Sequence, residues 1–167
     1  MTRGKGKRVT AGALLPHDVL KMYLHVTAEQ MLRVWQSTVI GHLQAGAIGY
    51  NGHYANGLTA IFIATGQDVA NVVNSACGTT VFELLPEGLY VSATLPALSV
   101  ATVGGGTGLP TQREALEIMG CKGAGKAKKF AEVVSAAVLG GEISMGAAIA
   151  SGEFVAAHER YGRNRPK

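Results

Sequence analysis

Charged side chains are scarce in this sequence, 16% of its 167 residues against 47% hydrophobic. A chain so poor in charge, with a mean hydropathy of +0.20, carries too much apolar surface to be disordered. It needs a well-covered interior or a large subunit interface, and an interface is the favoured reading. Cysteine is scarcer still. Cys77 and Cys121 are the two present, too few for a disulfide framework and without metal-ligand spacing. Reduced thiols in a cytoplasmic protein are expected, with no metal site. Also lacking is an uninterrupted apolar run near the roughly 20 residues that span a bilayer, because Glu132, Glu142 and Glu153 punctuate the alanine-rich C-terminal region. "AGALLP" is too short for a signal-peptide core and runs into His17 and Asp18. No targeting or membrane segment is expected, and no internal repeat is visible.

What charge there is gathers at the ends. The net +4 comes largely from Arg3, Lys5, Lys7 and Arg8 at the start and Arg160, Arg163, Arg165 and Lys167 at the finish. Without interleaved aromatics or a recognised module, solvated tails are preferred to nucleic-acid binding. The length fits one domain, 1–167, or a large part of one.

Between the ends, "RVTAGALLP" reads as a strand. Pro16 to about Val34 reads as a helix with Leu20, Tyr23, Leu24 and Met31 on its apolar side. A glycine-rich stretch, "IGHLQAGAIGYNGHYANG", leads into a buried helix from about His53 towards Asp68 and as far as Asn74. "TTVFELLPEGLYVSATLPAL" reads as a hairpin around Pro-Glu-Gly. The loop "TVGGGTGLP" precedes a helix over Thr111 to Met119. Two closing helices follow, Lys126 to Leu139 and Glu142 to Tyr161, parted by Gly140-Gly141. Strands in two groups with helices between and after them make an α+β fold.

Several stretches carry chemistry. In "AIFIATGQD" an apolar run ends on Asp68, and an isolated buried carboxylate is costly unless paired, hydrogen-bonded or protonated. "TVGGGT" offers backbone N–H groups without side-chain obstruction, as close approach of a phosphate or dinucleotide requires, yet it is no G-x-G-x-x-G opening a helix after a strand. "GCKGAGKA" nearly matches a phosphate-binding loop, but Ala127 stands where a magnesium ligand belongs and a helix precedes it. His158 falls near a helix C-terminus, where the macrodipole favours its protonated form. His53 and Asn56, three apart, share a helical face and could bind one ligand. The bland alternatives are a structural turn for the glycines, a surface histidine at 158, and capping or packing at 53 and 56.

Taken in order, "GYNGHYANGLTAIFIATGQD", "LYVSATLPALSVATVGGGTGLPTQREALEIMG" and "AEVVSAAVLGGEISMGAAIASGEFVAAHE" resemble the C-terminal half of the catalytic domain of 3-hydroxy-3-methylglutaryl-CoA (HMG-CoA) reductases, the eukaryotic and archaeal class. The resemblance runs from "RGKGKRV" to the terminal arginines. It implies the C-terminal part of a large substrate-binding domain, with a long buried helix, a small sheet and closing helices. It also implies NADPH-dependent reduction of the HMG-CoA thioester to mevalonate and CoA. Asp68 would then be a buried catalytic aspartate, coupled to a glutamate and a lysine, and His158 would protonate the departing CoA thiolate. His53 and Asn56 would line the substrate site, and Gly104, Gly105, Gly106 and Thr107 would approach the cofactor. On one unbroken helix Asn56 and Asp68 would lie about 18 Å apart, so the helix breaks or different protomers contribute. A homo-oligomer with sites at a dimer interface is the expectation.

Two departures qualify the likeness. The family's catalytic glutamate, catalytic lysine and inserted dinucleotide-binding domain have no counterpart here, so this chain alone is expected to be inactive, either as a fragment or as one product of a split gene that works with a separate chain supplying them. Ser37 and Thr38 stand where the family has Lys-Asn, with Arg33 and His42 the nearest replacements. A non-catalytic CoA- or nucleotide-binding homologue is therefore the competing expectation.

Overall fold

Residues 5–162 are described by a computed structural model; Arg3, Arg163, Arg165 and Lys167 of the terminal basic clusters lie outside them. Alternation in "KRVTAGALLP" produces β1 (Lys7–Pro16), whose Val9, Ala11, Ala13 and Leu15 pack on the core. The expected hairpin is present as β2 (Thr79–Leu85) and β3 (Gly88–Leu98). The strands form one antiparallel sheet of order β1-β3-β2, with Ala11 opposite Ala93 and Phe82 opposite Val91. The inner face is apolar apart from the buried Thr80. On the opposite face the Thr10 and Thr94 hydroxyls pair at 2.9 Å.

The helix expected from Pro16 to Val34 is two helices, α1 (His17–Tyr23) and α2 (Ala28–Gln44). His25, at φ 56, turns the chain between them, and Thr27 opens α2. Its hydroxyl accepts from Gln30 N at 3.2 Å while Gln30 Oε1 accepts from Thr27 N at 2.8 Å, a reciprocal cap written in the sequence as T-x-x-Q. Leu20 and Met31 are buried as expected, whereas Tyr23 is 70% exposed. α2 also absorbs "IGHLQ", which composition alone assigned to the glycine-rich stretch.

α3 (Tyr54–Thr65) buries Tyr54, Leu58, Phe62 and Thr65. It stops short of Asp68, because Gly66 takes a left-handed conformation at φ 66. A 3-10 turn over Val69–Asn71 and the short α4 (Val72–Ser75) follow. After the glycine loop comes α5 (Pro110–Ile118), with proline in its first turn.

The two closing helices do not part at Gly140-Gly141. α6 (Ala127–Ser151) runs straight through both, and the stop is Gly152, at φ 82, before α7 (Glu153–Tyr161). Two interior glycines cost on the order of 2 kcal/mol in propensity. Burial of Phe130, Val134, Val138 and Leu139 outweighs that. α6 packs on β1 and β3 and against α2 and α3, so the core lies between it and the sheet. Its glutamates do not interrupt it as expected. By length and composition alone it is long and apolar enough to cross a membrane, a property shared with core helices of soluble proteins, and 39% of its most apolar stretch is buried within the chain.

Candidate active site

The C-terminal end of α3 meets the triple-glycine bend backbone to backbone. A Cβ on Gly66 would lie 2.8 Å from Thr107 N and closer still to the Gly106 carbonyl, and one on Gly106 would lie 2.7 Å from Gly66 O. Neither position can carry a side chain without moving the other. Gln67 adds a staple: its Oε1 accepts from Ala101 N at 2.7 Å and its Nε2 donates to Thr65 O at 3.0 Å. The bend is braced from behind. Thr107, buried, donates from Oγ1 to Gly104 O at 2.7 Å, and Lys122 Nζ donates to Thr107 O at 3.0 Å. Thr102 and Gly123 exchange a further pair of bonds, at 2.7 and 3.1 Å. "GCKGAGKA" therefore serves as the buttress of the glycine bend.

This packing opens a groove of about 560 Å³ whose lining includes Ile63, Gln67, Asp68, Gly104, Gly105 and Gln112. Asp68 is exposed at its edge, which corrects the expectation of a buried carboxylate. The helix ends three residues earlier, at Thr65, so Asp68 leaves the core with the turn. Its Oδ1 accepts from Ala70 N at 3.1 Å and its Oδ2 from Asn71 Nδ2 at 3.0 Å. Asn71 Oδ1 in turn accepts from Lys5 Nζ at 3.4 Å. Gly104 and Gly105 sit at φ 82 and 53, and a Cβ on either would meet nothing within 4 Å. Open space beside bare backbone is what a closely approaching planar or phosphate-bearing group needs.

The opposite end of α3 is capped by a side chain from α6. His53 is its N-cap residue, and Asn56 lies exposed in the first turn. Here sits the residue that sequence reasoning missed. Glu142, only 5% exposed, reaches from α6 so that Oε1 accepts from Gly52 N at 3.0 Å and from His53 N, while Oε2 accepts from Thr80 Oγ1 at 2.9 Å. A lone carboxylate inside "VLGGEISMGAAIA" was the available signal, since a buried charge needs donors. Beside it the Tyr54 hydroxyl donates to Thr79 O at 2.9 Å. Burial, with a further push from the Glu142 charge, raises the Tyr54 phenol to about 12.

The site residues thus form two clusters. Asp68 lies with Gly104, Gly105, Gly106 and Thr107 at one end of α3, and His53 with Asn56 at the other. The helix between Asn56 and Thr65 is unbroken, so the separation anticipated from the sequence stands. His158 does not line the groove. It projects from α7, exposed, with Nδ1 donating to Phe154 O at 2.7 Å and its ring 4.2 Å from that of Phe154. Ser37 is exposed on α2 and bonds Arg33 O at 3.0 Å, and His42 Nδ1 donates to Thr38 O at 2.7 Å. Among the described residues no three His, Cys, Asp or Glu side chains gather as a metal site requires, and both cysteines are free.

Fold and groove define an α+β unit in which a carboxylate and a glycine bend line one opening. Comparison with known proteins narrows the class. The family model for hydroxymethylglutaryl-coenzyme A reductase matches residues 1–163. A 3-hydroxy-3-methylglutaryl-coenzyme A reductase of Pyrococcus horikoshii is 48% identical over 96% of this chain, and one of Methanocaldococcus jannaschii is 44% identical over 98%. A plant relative of the same name, numbered 2, from Gossypium hirsutum is 39% identical. The chain belongs to the hydroxymethylglutaryl-CoA reductase family, a family of oxidoreductases. It spans about two-fifths of the length of the archaeal relatives, 40% in the two cases above.

Proposed function

We propose that this chain is the C-terminal catalytic portion of a hydroxymethylglutaryl-CoA reductase, acting in the reduction of the HMG-CoA thioester to mevalonate with release of CoA, a step of isoprenoid biosynthesis. One observation carries the reading: the Gly66–Gly106 contact brings Asp68 and the glycine bend to a single groove. Asp68 stands where it can hold or pass a proton at an oxygen that gains charge during reduction. Gly104 and Gly105 fit the approach of a nicotinamide cofactor, because the space beside their backbone is open, while Gly106, packed on Gly66, and the buried Thr107 would hold the bend in place for it. NADPH, when bound, supplies the hydrides. His158 keeps Nδ1 on the Phe154 carbonyl, leaving Nε2 to deliver a proton to the CoA thiolate.

On this reading the 167 residues are inactive alone, since the cation and second carboxylate that complete the charge network come from elsewhere in the assembly. Exposed Ile40, Leu43 and Ile48 on and after α2, and Val155 on the fully exposed α7, support a homo-oligomer whose sites are completed across an interface, with or without a separate chain supplying the remaining family segment. Localisation is cytoplasmic, and neither nucleic acid nor membrane is a partner.

The test is reconstitution. The chain is mixed with a polypeptide bearing the rest of the family's catalytic domain, given HMG-CoA and NADPH, and followed by loss of nicotinamide absorbance. Turnover that disappears in Asp68→Asn is expected. An assembled complex without turnover would overturn the proposal, and CoA affinity persisting in that complex would point to a binding protein, the reading favoured by Ser37 in place of lysine.

A further inference from the structure

The two edges of the sheet differ. The Pro86-Glu87 turn sets Leu85 against Gly88, and the Thr80 amide leaves the sheet to donate to Tyr50 O at 2.8 Å. Backbone direction alternates along a strand, so Thr80 and Ala93 face each other without exchanging bonds. Ala93 therefore turns its N–H and C=O towards Ala11 of β1, as Val91 does towards Ala13. The same alternation turns the N–H and C=O groups of Thr10, Gly12 and Leu14 outward, away from β3. The closeness of the Thr10 and Thr94 hydroxyls, 2.9 Å, agrees with a pair that shares no backbone bonds.

Those outward groups meet no partner among the described residues. On β2 the matching position is sealed, because Trp35 Nε1 also donates to Thr80 O at 2.7 Å. Residues that blunt an edge stand only at the tips of β1, Lys7 and Arg8 at one and Pro16 at the other. The layer under the sheet tells the same story. Leu89, Val91, Ala93 and Leu95 of β3 are 0% exposed, whereas Val9, Ala11, Ala13 and Leu15 of β1, on the same face, are only partly buried. Ladder and core both stop unfinished at β1.

A second copy of β1 completes them poorly. Any well-overlapped antiparallel register of two copies sets alanine against alanine under the sheet, and an in-register parallel one sets Lys7 and Arg8 beside their counterparts. This chain spans 40% of the Pyrococcus horikoshii relative, so the family holds ample chain to supply a different strand. We propose that the free edge of β1 is where an extended segment from the part of the catalytic domain that this chain lacks joins the sheet. It pairs with Thr10, Gly12 and Leu14 and brings large apolar side chains inward beside Ala11 and Ala13. The identity of that segment rests on the functional reading; the open edge does not.

Amide exchange on the full chain, alone and mixed with a polypeptide bearing the rest of the catalytic domain, reads the ladder residue by residue. Alone, Thr10, Gly12 and Leu14 should exchange roughly 10-fold or more faster than Ala11 and Ala13, whose amides bond to β3. In the complex the outward set should slow to match the inward one. Free exchange of the outward set in a formed complex would overturn the proposal, and failure of the two folded polypeptides to associate would do the same. So would protection in the chain alone that grows with its concentration, since a second copy would then hold the edge. Thr10→Pro removes one outward donor and leaves the ladder to β3 intact, so it should weaken association roughly 10-fold, while Thr10→Val, which keeps the N–H, should not. Equal affinities for the two folded variants would contradict strand pairing, and the exchange pattern itself needs no variant. Turnover with the edge still open would refute this inference and leave the functional reading standing; a protected edge without turnover would do the reverse.

Discussion

The two ends of α3 are built to opposite specifications. At the N-terminal end the exposed backbone donors are met by a buried carboxylate from α6, and the ring of His53 is wedged between glycines. At the C-terminal end, two glycines bring backbones into contact, and the carboxylate that follows stands open at the edge of a groove. At the first end the leading backbone donors find their acceptor within this chain. The other presents donors, acceptors and empty space to something outside it. A carboxylate that is satisfied holds structure, and a carboxylate left accessible is available for chemistry, so burial rather than residue type separates Glu142 from Asp68.

Mutations at the two ends should sharpen that contrast. The largest effect is expected from Gly66→Val, which places a branched side chain at positive φ against the Gly106 carbonyl; a loss of about 2–5 kcal/mol in denaturant unfolding is the prediction. Glu142→Ala leaves the amides of Gly52 and His53 without their acceptor and the Thr80 hydroxyl with only the Tyr54 oxygen, and should cost about 3 kcal/mol by the same measurement.

Tyr54→Phe removes the bond to Thr79 O, for about 1 kcal/mol. It also alters the alkaline limb of the stability curve. The phenol is raised to about 12 from about 10 in an unfolded chain, so above pH 10 the unfolded state has lost a proton that the folded state keeps. Stability present below about pH 10 is therefore lost as pH rises towards 12. In Tyr54→Phe that decline should be shallower. The smallest change in stability is expected for Asp68→Asn, within about 0.5 kcal/mol because asparagine caps the following turn as well. Yet turnover of the complete assembly should fall roughly 100-fold or more. Comparable stability losses for Glu142→Ala and Asp68→Asn would break the comparison.

Local signals made much of the fold legible. The Pro-Glu-Gly turn between alternating runs gave the hairpin, and the apolar face from Tyr54 to Phe62 gave α3. Glycine misled at three places, because its reason depends on tertiary neighbours. Gly66 ends a helix, Gly141 lies inside one to admit His53, and only Gly152 stops α6. The break between α1 and α2 was written in the Thr27–Gln30 cap, a signal obscured by the apolar positions on either side. In the candidate site, Asp68 and the run Gly104, Gly105, Gly106 and Thr107 were singled out by the family resemblance and share a groove, but the exposure of Asp68 was not foreseen, since one sequence does not say which surfaces a second segment covers. Glu142 was read as an interruption of an apolar run, when its isolation was the sign that donors awaited it from Gly52, His53 and Thr80.

Backbone hydrogen exchange at the two ends of α3, measured on the chain alone and again in the reconstituted assembly with NADPH, tests the central distinction most directly. The amides of Gly52 and His53 should be protected in both states, while those of Gly105 and Gly106 should exchange freely at first and slow markedly on assembly. Early protection at the glycine bend that assembly leaves unchanged, or free exchange at His53 in the chain alone, would contradict it.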